Sequence, residues 1–344
     1  MNIFDIVVAR NILYYWEQNT KDRAPYPGEL LFPSRKQVGL EFSTLKGKQG
    51  TPVALVPSTF DANVLYRDFA GLVEVKGKLP FFKEAQKIEE DLRQKLLTYN
   101  EKFANALLPE VFNIPSALLD GAEVSIEIMR MQLLSQGTIA MQGANGVSFS
   151  YDYGFDTNTQ LVTETTTWDA TSATPFKSLL KQLKNFKKVT KATPALVFIS
   201  DTKFDQLLLD TTVAGYFAQS NNPAPSDDEV RNYIEKKAGV RFVVLDQVYK
   251  KARDFNGADV RFYPEDRYTI VPNTYLGESL YGTTPEEADL LGKQSQASSC
   301  ELTSKGVAVT TWREVDPVNV NVKVSQVCAP TCPNIDKIYI VKGI

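Results

Sequence analysis

The chain has 344 residues and a formal net charge of −3, with 43% apolar and 23% charged residues. These proportions are ordinary for soluble globular proteins, so they exclude a largely disordered chain and collagen-like repeats, and the length suits two domains. The balance of 38 basic against 41 acidic residues argues against a dedicated nucleic-acid binder, which needs a basic surface to release counterions from phosphates.

Histidine is absent from the sequence. Its absence removes Ser-His-Asp and Cys-His nucleophile systems, His-ligated metal sites and the commonest general base near neutral pH. The three cysteines are Cys300, Cys328 and Cys332, which are too few for a disulfide scaffold. Cys328 and Cys332 are close in sequence, but two thiolates cannot complete a tetrahedral zinc site. We therefore expect free thiols, and we predict no catalytic, cofactor-binding or metal-binding residue.

The first 45 residues are interpreted as an arm. No apolar run in the chain reaches the ~18 residues of a membrane span. The opening MNIFDIVVARNILYYWEQ is interrupted by Asp5 and Arg10 and is followed by no small-residue cleavage site, which argues against a signal peptide. The Pro-rich passage DRAPYPGELLFPSRK then makes a regular element over residues 25–33 unexpected. Such an arm must lie against another part of the molecule or against a neighbour.

Short β-like runs separated by turn residues fill residues 46–82. The runs PVALV, NVLYRDF and LVEV predict two or three strands. They are too few to close a core, so we expect a long ribbon that leans on a partner surface.

Two helices and a hairpin are predicted next. Apolar residues over 83–108 recur at spacings of three and four, which favours a helix with one apolar face. A second helix is predicted from Ser116 to Gln136, with Gly137 at its end. The hairpin after it is predicted to turn at Asn145-Gly146.

An α/β unit is predicted after a Thr-rich connection at residues 155–174. Thr174 and Pro175 open a helix, ALVFIS forms a buried strand, and Asp201 caps a short helix. Ser226 and Glu229 form a capping box for a further helix, which leads into the strand VRFVVLD. β patterning returns over residues 306–315, 319–327 and 337–343.

A lysine face lies on the helix that Pro175 opens. Lys177, Lys181, Lys184, Lys188 and Lys191 follow one another at spacings of three and four. Such a face indicates an anion or DNA contact, a solvated surface, or a charged seam between subunits. The negative chain and the lack of interleaved aromatic residues favour the last two.

Several local motifs carry a resemblance to a known family. They are PVALVPSTFDANVLYRDFAG followed by PFFKEAQKIEEDLRQKLL, then TTTWDA, FYPEDRYTIVPNT and TTWREVDP. Together with the order of the parts, they resemble tailed-phage major capsid proteins, in particular the lambda-type phage major capsid protein E family. The likeness spans nearly the whole chain.

The resemblance implies an α+β chain with the Hong Kong 97 fold. The long spine helix of that fold is expected at 116–136, with 83–108 as a second candidate. The implied parts are an N-terminal arm at 1–45, an extended loop at 46–82, a peripheral domain with spine helix and hairpin at 83–169, an axial domain at 170–295, and C-terminal strands at 296–344 that return to the peripheral domain.

The implied function is that of a major capsid protein that assembles into an icosahedral shell around the genome of a double-stranded DNA phage. The expected partners are copies of the chain in pentamers and hexamers, a portal protein, a scaffolding protein and, as an option, a decoration protein. DNA would be enclosed without sequence-specific binding, and no membrane is involved. The chain would lie in the virion capsid, and in the host cytoplasm during assembly. Because no charged helical extension precedes the arm, scaffolding is expected from a separate protein, or the chain is a processed form.

Contacts between subunits are expected on the ribbon, just after it, and on the lysine face. The interface candidates are Val53, Leu55, Phe60, Val64, Tyr66, Arg67, Phe69, Phe81, Phe82, Lys177, Lys181, Lys184 and Lys188. Two alternatives stay open on sequence alone. One is an encapsulin-like shell, and the other is an α/β enzyme that uses carboxylate or Lys chemistry.

Overall fold

The computed structural model of the chain describes residues 6–47, 72–90, 94, 101–143, 148–170, 173–219, 225–251, 257–291, 299–316 and 318–344. The helices of these residues are α1 Ala9–Thr20, α2 Glu101–Gln136, α3 Pro175–Thr190, α4 Asp201–Leu208, α5 Thr211–Gln219, α6 Asp227–Ala238 and α7 Pro285–Leu291. In the described part of the chain, none of them is both long and apolar enough to cross a membrane.

The strands of the described residues fall into two larger sheets and three two-stranded pairs. They are β1 Ser34–Lys36, β2 Glu41–Gly47, β3 Leu72–Lys78, β4 Phe81–Ile88, β5 Thr138–Gln142, β6 Ser148–Asp152, β7 Leu161–Thr163, β8 Leu196–Ser200, β9 Arg241–Leu245, β10 Val248–Tyr249, β11 Val260–Arg261, β12 Arg267–Val271, β13 Ser279–Tyr281, β14 Ser299–Leu302, β15 Ala308–Val315, β16 Val318–Pro330 and β17 Tyr339–Lys342.

The first sheet is built around the long strand β16. Its order is β1-β13-β16-β15-β14, and β4 also pairs with β16, on the edge opposite β15. Side chains alternate across a strand, so Val320, Val322 and Val324 all point to one face, where they are buried in one core with residues of α2. The long helix therefore lies across this sheet.

The other face of β16 carries polar residues, and the short helix α7 covers part of it. Glu286 of α7 accepts hydrogen bonds from Lys323 at 2.5 Å and from Ser325 at 2.7 Å. Burial would raise the pKa of Glu286, but these hydrogen bonds hold it below its ordinary value, so the carboxylate stays charged. Helix α7 is thus held on the sheet by charge.

The helix predicted over residues 83–108 is wrong at its start. Residues 83–88 belong to β4, where Ala85 pairs with Lys323 and Ile88 pairs with Val320. The apolar spacing of these residues is compatible with a helix. However, the backbone N–H and C=O groups along the edge of β16 need hydrogen-bond partners, and pairing with β4 supplies them.

The predicted start of the second helix at Ser116 is also wrong. Helix α2 continues from Glu101 through Pro109 and Pro115 to Gln136. A proline inside a helix removes one backbone hydrogen bond and costs about 3 kcal/mol. Packing of α2 against α1 and the first sheet outweighs that cost, since its residues from Val111 to Leu134 are part of a large buried core.

The second sheet has the order β7-β17-β12-β8-β9 and is covered on both faces. On β8, Val197 and Ile199 pack with apolar residues of α3, α4 and α6. The alternate residues Leu196 and Phe198 point the other way, into the core that contains the end of α2. The long helix therefore links the two sheets.

The local signals predicted for the α/β unit are confirmed with one exception. Helix α3 begins at Pro175, the capping box of Ser226 and Glu229 is present, and Gly239 ends α6 with a φ of 69°. The cap of α4 is Ser200, whose hydroxyl accepts from the Lys203 N–H, and Asp201 is the first helical residue. Serine and aspartate are both good N-cap residues. Because β8 ends at Ser200, the serine takes the N-cap position and the helix begins one residue later.

Two further expectations differ from the structure. The last strand, β17, pairs with β12 and β7 in the second sheet, so residues 296–344 do not all return to one sheet. In the arm, Pro27–Leu30 form a 3-10 turn where no regular element was expected, because Pro27 stands at its first position, where its missing N–H is not needed. The expected hairpin is confirmed as β5 and β6, although residues 144–147 of its turn lie outside the described residues.

Candidate subunit-interface surfaces

A two-stranded ribbon lies apart from the two larger sheets. Strands β2 and β3 pair antiparallel from Glu41 opposite Lys78 to Gly47 opposite Leu72. Among the described residues, no third strand pairs with either of them. A two-stranded ribbon is marginal in water, so it needs an anchor at its base and a surface to rest on.

The ribbon is the predicted one, with a different boundary. The predicted run LVEV lies in β3, while its partner strand begins at Glu41, inside the segment assigned to the arm. The runs PVALV and NVLYRDF lie outside the described residues, as do the candidates Val53, Leu55, Phe60, Val64, Tyr66, Arg67 and Phe69.

An aromatic anchor holds the base of the ribbon on the hairpin β5–β6. Phe42 is buried and meets Tyr151 edge to face, with ring centroids 5.7 Å apart. Gly77 is the register partner of Phe42, and a Cβ there would lie 2.6 Å from the Phe42 ring, so only glycine leaves room for it. The Tyr151 hydroxyl donates to the carbonyl of Lys78, and burial raises the pKa of Tyr151, which keeps that donor protonated.

Phe81 and Phe82 follow the ribbon on β4 and point to opposite faces of the first sheet. Phe82 is half-buried, and its ring lies 5.8 Å from that of Phe149 in an edge-to-face contact. Phe81 is 42% exposed, with the Lys83 ammonium 5.7 Å from its ring centroid. Phe81 is therefore the more available of the two for a neighbouring copy.

A buried charge pair on α2 clamps the arm. Glu127 and Arg130 lie one turn apart and are almost fully buried, with the guanidinium 3.1 Å from the carboxylate. The backbone N–H of Gly28, in the arm, donates to the same carboxylate at 2.8 Å. A Cβ at residue 28 would lie 2.8 Å from both carboxylate oxygens, so glycine is what lets the arm approach this closely. Burial raises the pKa of Glu127, and Arg130 and Gly28 oppose that rise.

Hydroxyl groups complete the clamp. Arg130 donates to Ser279 of β13 at 2.9 Å and to Ser34 of the arm at 3.4 Å. Ser279 in turn donates to the carbonyl of Phe32 at 2.9 Å. The arm, the long helix and β13 thus meet at the Arg130 guanidinium. Each of them supplies a hydrogen-bond acceptor, either to Arg130 or to Ser279. A buried arginine with several partners fixes these segments against one another.

The lysine face is exposed along the whole of α3. Lys177, Lys181, Lys184 and Lys188 are all exposed, while the opposite side of the helix buries Leu179, Leu183 and Phe186 against the second sheet. Lysines three and four residues apart repel one another, by about 0.2–0.5 kcal/mol per pair. A helix that keeps such a face has a cost that packing of its apolar side must offset.

The structure does not bring all the interface candidates together. Phe81 and Phe82 lie on the first sheet, whereas the four lysines lie on a helix over the second sheet. Sequence reasoning missed the anchor and the clamp. A glycine inside a β pattern, at Gly77, and two charges inside an apolar helix, at Glu127 and Arg130, were the signals that could have found them.

These parts define a class of protein. Two sheets joined by one long helix, with an arm clamped to that helix and a separate two-stranded ribbon, are the arrangement of capsid subunits with the Hong Kong 97 fold. A crystal structure assigned to the capsid protein of a prophage of E. coli CFT073 is similar, with a TM-score of 0.60 and 12% identity, over 98% of this chain and 99% of that one. A phage-related protein of Bordetella bronchiseptica RB50 is similar with a TM-score of 0.57 and 11% identity, over 98% and 97%.

The sequence itself matches a family. Residues 10–342 match the profile of phage major capsid protein E, and the chain belongs to that family. No curated protein is similar enough in sequence to count as a match. The protein is accordingly a structural subunit of a phage capsid shell and not an enzyme, it assembles with copies of itself, and its place is the virion capsid.

Proposed function

We propose that the shell closes when the ribbon and arm of one copy cover the long helix and first sheet of the next, in rings of five and six copies. The observation that carries this proposal is the ribbon. In the described residues it pairs with nothing beyond its own two strands, yet it is anchored at its base by Phe42, Gly77 and Tyr151. An element that is anchored at its base, and whose two strands pair with no further strand among the described residues, suits a contact with a second copy.

The parts of the chain then take separate roles. Residues 1–45 serve as the arm and 46–82 as the extended loop, with the loop's first strand beginning at Glu41. Residues 83–169 form the peripheral domain around α2, and 170–295 form the axial domain that gathers at the centre of each ring. Residues 296–344 return to the peripheral domain, except that β17 pairs with β12 and β7 in the second sheet.

The interface candidates divide along the same lines. The ribbon residues Val53, Leu55, Phe60, Val64, Tyr66, Arg67 and Phe69, with Phe81 and Phe82, supply the apolar contact to a neighbouring copy. Exposed Phe81 supports this, because a large exposed aromatic side chain gains free energy when a partner buries it. The lysines of α3 supply a charged contact within a ring.

Other partners follow from the role as a shell subunit. A portal protein at one vertex, a scaffolding protein during assembly and, as an option, a decoration protein outside would each contact this chain. Packaged DNA would be enclosed without tight binding, since a chain with a net charge of −3 does not attract a polyanion strongly.

Shortening the ribbon tests the proposal. Gly47 and Leu72 are register partners, so residues 48–71 can be replaced by the two-residue turn Asn-Gly, which closes a hairpin at that position. We expect a folded, soluble subunit that forms no shells, because the anchor stays intact while the contact with the neighbour is lost. Size-exclusion chromatography and negative-stain microscopy distinguish free subunits from particles.

A substitution away from the ribbon is the matched control. Leu209 is 80% exposed and lies outside the arm, the ribbon, the long helix and the first sheet, so Leu209→Ser should leave assembly unchanged. Normal shells from the chain with the shortened ribbon would show that the ribbon does not join neighbouring copies.

A further inference from the structure

The helix that carries the lysine face is strongly positive. Between Pro175 and Lys191 lie six lysines, the five of the lysine face and Lys187, and that stretch contains no acidic residue. All six are exposed. From Lys177 to Lys191 a helix rises about 21 Å, so the face is a continuous strip and not a point.

No described residue forms an ion pair with any of these lysines. Within the described residues of one copy, solvent alone therefore relieves their mutual repulsion. Outside this strip the chain carries 32 basic and 41 acidic residues, so the remainder of each copy is distinctly negative. A second copy consequently offers a surface of the opposite sign.

One part of that negative surface is well defined at the carboxyl ends of β8 and β9. These strands are parallel, so the residues that follow them, Asp201 and Asp246, emerge at the same edge of the second sheet. Arg261 lies 2.6 Å from Asp201 and 2.6 Å from Glu265. We call Asp201, Asp246 and Glu265 the acidic rim.

The acidic rim is only partly neutralised. Arg261 lies within ion-pair distance of both Asp201 and Glu265. The hydrogen bond to Asp201 raises the pKa of Arg261, and the negative charges of Asp201, Glu265 and Asp246 raise it further. Among the described residues, three carboxylates thus share one guanidinium. All three side chains are at least partly exposed, so the excess charge faces outward.

We propose that the lysine face of one copy docks on the acidic rim of the next copy within a ring. The inference rests on the proposed function, since it names the partner of the lysines in that assembly. Two different surfaces of one chain then meet head to tail, which is the kind of contact that closes into a ring. Complementary charge at such a contact sets the register and speeds the encounter.

Packaged DNA is the competing occupant of the lysine face. A strip of one sign also fits phosphates, but DNA would have to approach a chain whose remaining surface repels it. A second copy needs no such approach, because self-association is the established state of this family. The observations therefore favour the copy.

Charge reversal with rescue tests the proposal on the full-length chain. We expect Lys181→Glu with Lys184→Glu to raise the protein concentration needed for shell formation at least tenfold, as measured by light scattering. Adding Asp246→Lys and Glu265→Lys should recover most of that loss, because the signs are then exchanged across the contact. Lys236→Glu with Lys237→Glu on α6 is the matched control and should change the concentration less than twofold.

Each outcome decides the proposal. Circular dichroism checks that the variants fold. If the charge-reversed lysine variant does not fold, Lys181→Gln with Lys184→Gln replaces it, and the protein concentration needed for shell formation should again rise. Unchanged assembly of the lysine variant overturns the proposal, and so does assembly that is lost but not recovered by the rim substitutions. Normal shells that retain less DNA would assign the face to DNA instead. Failure here would leave the ribbon experiment unaffected, because the shortened ribbon keeps every one of these charges.

Discussion

Replacing Glu127 with alanine removes one half of the clamp between the arm and the long helix. The side chains of Glu127 and Arg130 are 0% and 2% exposed, so the variant would leave a buried guanidinium without its counter-charge. Of the described residues, only Ser279 and Ser34 would still accept hydrogen bonds from it. Breaking a buried pair in this way costs about 3–5 kcal/mol.

A second loss comes from the arm. The backbone N–H of Gly28 donates to Glu127 and would lose its acceptor, which costs about 1–3 kcal/mol for a buried donor. Both losses stem from one carboxylate and do not add in full, so we expect the free energy of unfolding to fall by about 4–6 kcal/mol. Removing both charges, as Glu127→Leu with Arg130→Met, should cost only about 1–3 kcal/mol, since the orphaned Gly28 donor alone remains.

Urea unfolding of the chain with the shortened ribbon measures this difference, because that chain stays free of the shell. With a slope of about 3 kcal/mol per molar urea, the alanine variant should unfold at about 1.5 M less urea than its parent. The paired variant should shift by less than half as much. If the alanine variant were as stable as the paired variant, the buried charge would not be what holds the arm, and the reasoning would be refuted.

Two other predictions concern the ribbon anchor and the helix on the first sheet. Gly77→Ala should displace the Phe42 ring and lower stability by about 1–3 kcal/mol in thermal unfolding, whereas Gly121→Ala, where nothing lies within 4 Å of the new Cβ, should raise stability by about 0.5–1 kcal/mol. Equal effects at the two glycines would contradict the close contact at the ribbon. Because the pKa of Glu286 lies below its ordinary 4.5, its interaction with Lys323 stabilises the fold above about that pH and is lost as the pH falls through the lowered value. Glu286→Gln should therefore lower the melting temperature at pH 7 and lower it less at pH 3, and an equal loss at both would contradict the assignment.

Sequence patterns predicted the parts whose structure depends on neighbours along the chain. The capping box of Ser226 and Glu229, the opening of α3 at Pro175 and the hairpin β5–β6 all appear as expected. In each case the partners lie within a few residues of one another, so the pattern itself contains the interaction. The resemblance to the capsid family rested on equally local motifs and is confirmed by the family match.

Expectations were wrong where a distant segment decided the outcome. Residues 83–88 have a spacing typical of a helix, but β16, more than 200 positions later, pairs with them as a strand. A second helix was expected to start at Ser116, yet α2 already begins at Glu101, and packing along its length carries it through both of its prolines. Local preference amounts to a fraction of a kcal/mol per residue for most residue types, and a full strand ladder or a buried helix face exceeds it.

The candidate interface shows the same division. The lysine face was evident from spacing alone, since a helical period places those residues together whatever surrounds the helix. The clamp was not, because Gly28, Glu127 and Ser279 are far apart in sequence and meet only when the arm crosses the long helix.

The sequence by itself therefore determined most of the local helices and strands and the family to which the chain belongs. Its composition alone excluded chemistry that depends on histidine. Tertiary structure alone decided which strand joins which sheet, where the arm is held, and that β17 completes the second sheet. The physical reason is that these contacts depend on backbone and buried polar groups finding partners far away in the chain, and such partners exist only once the fold has brought them together.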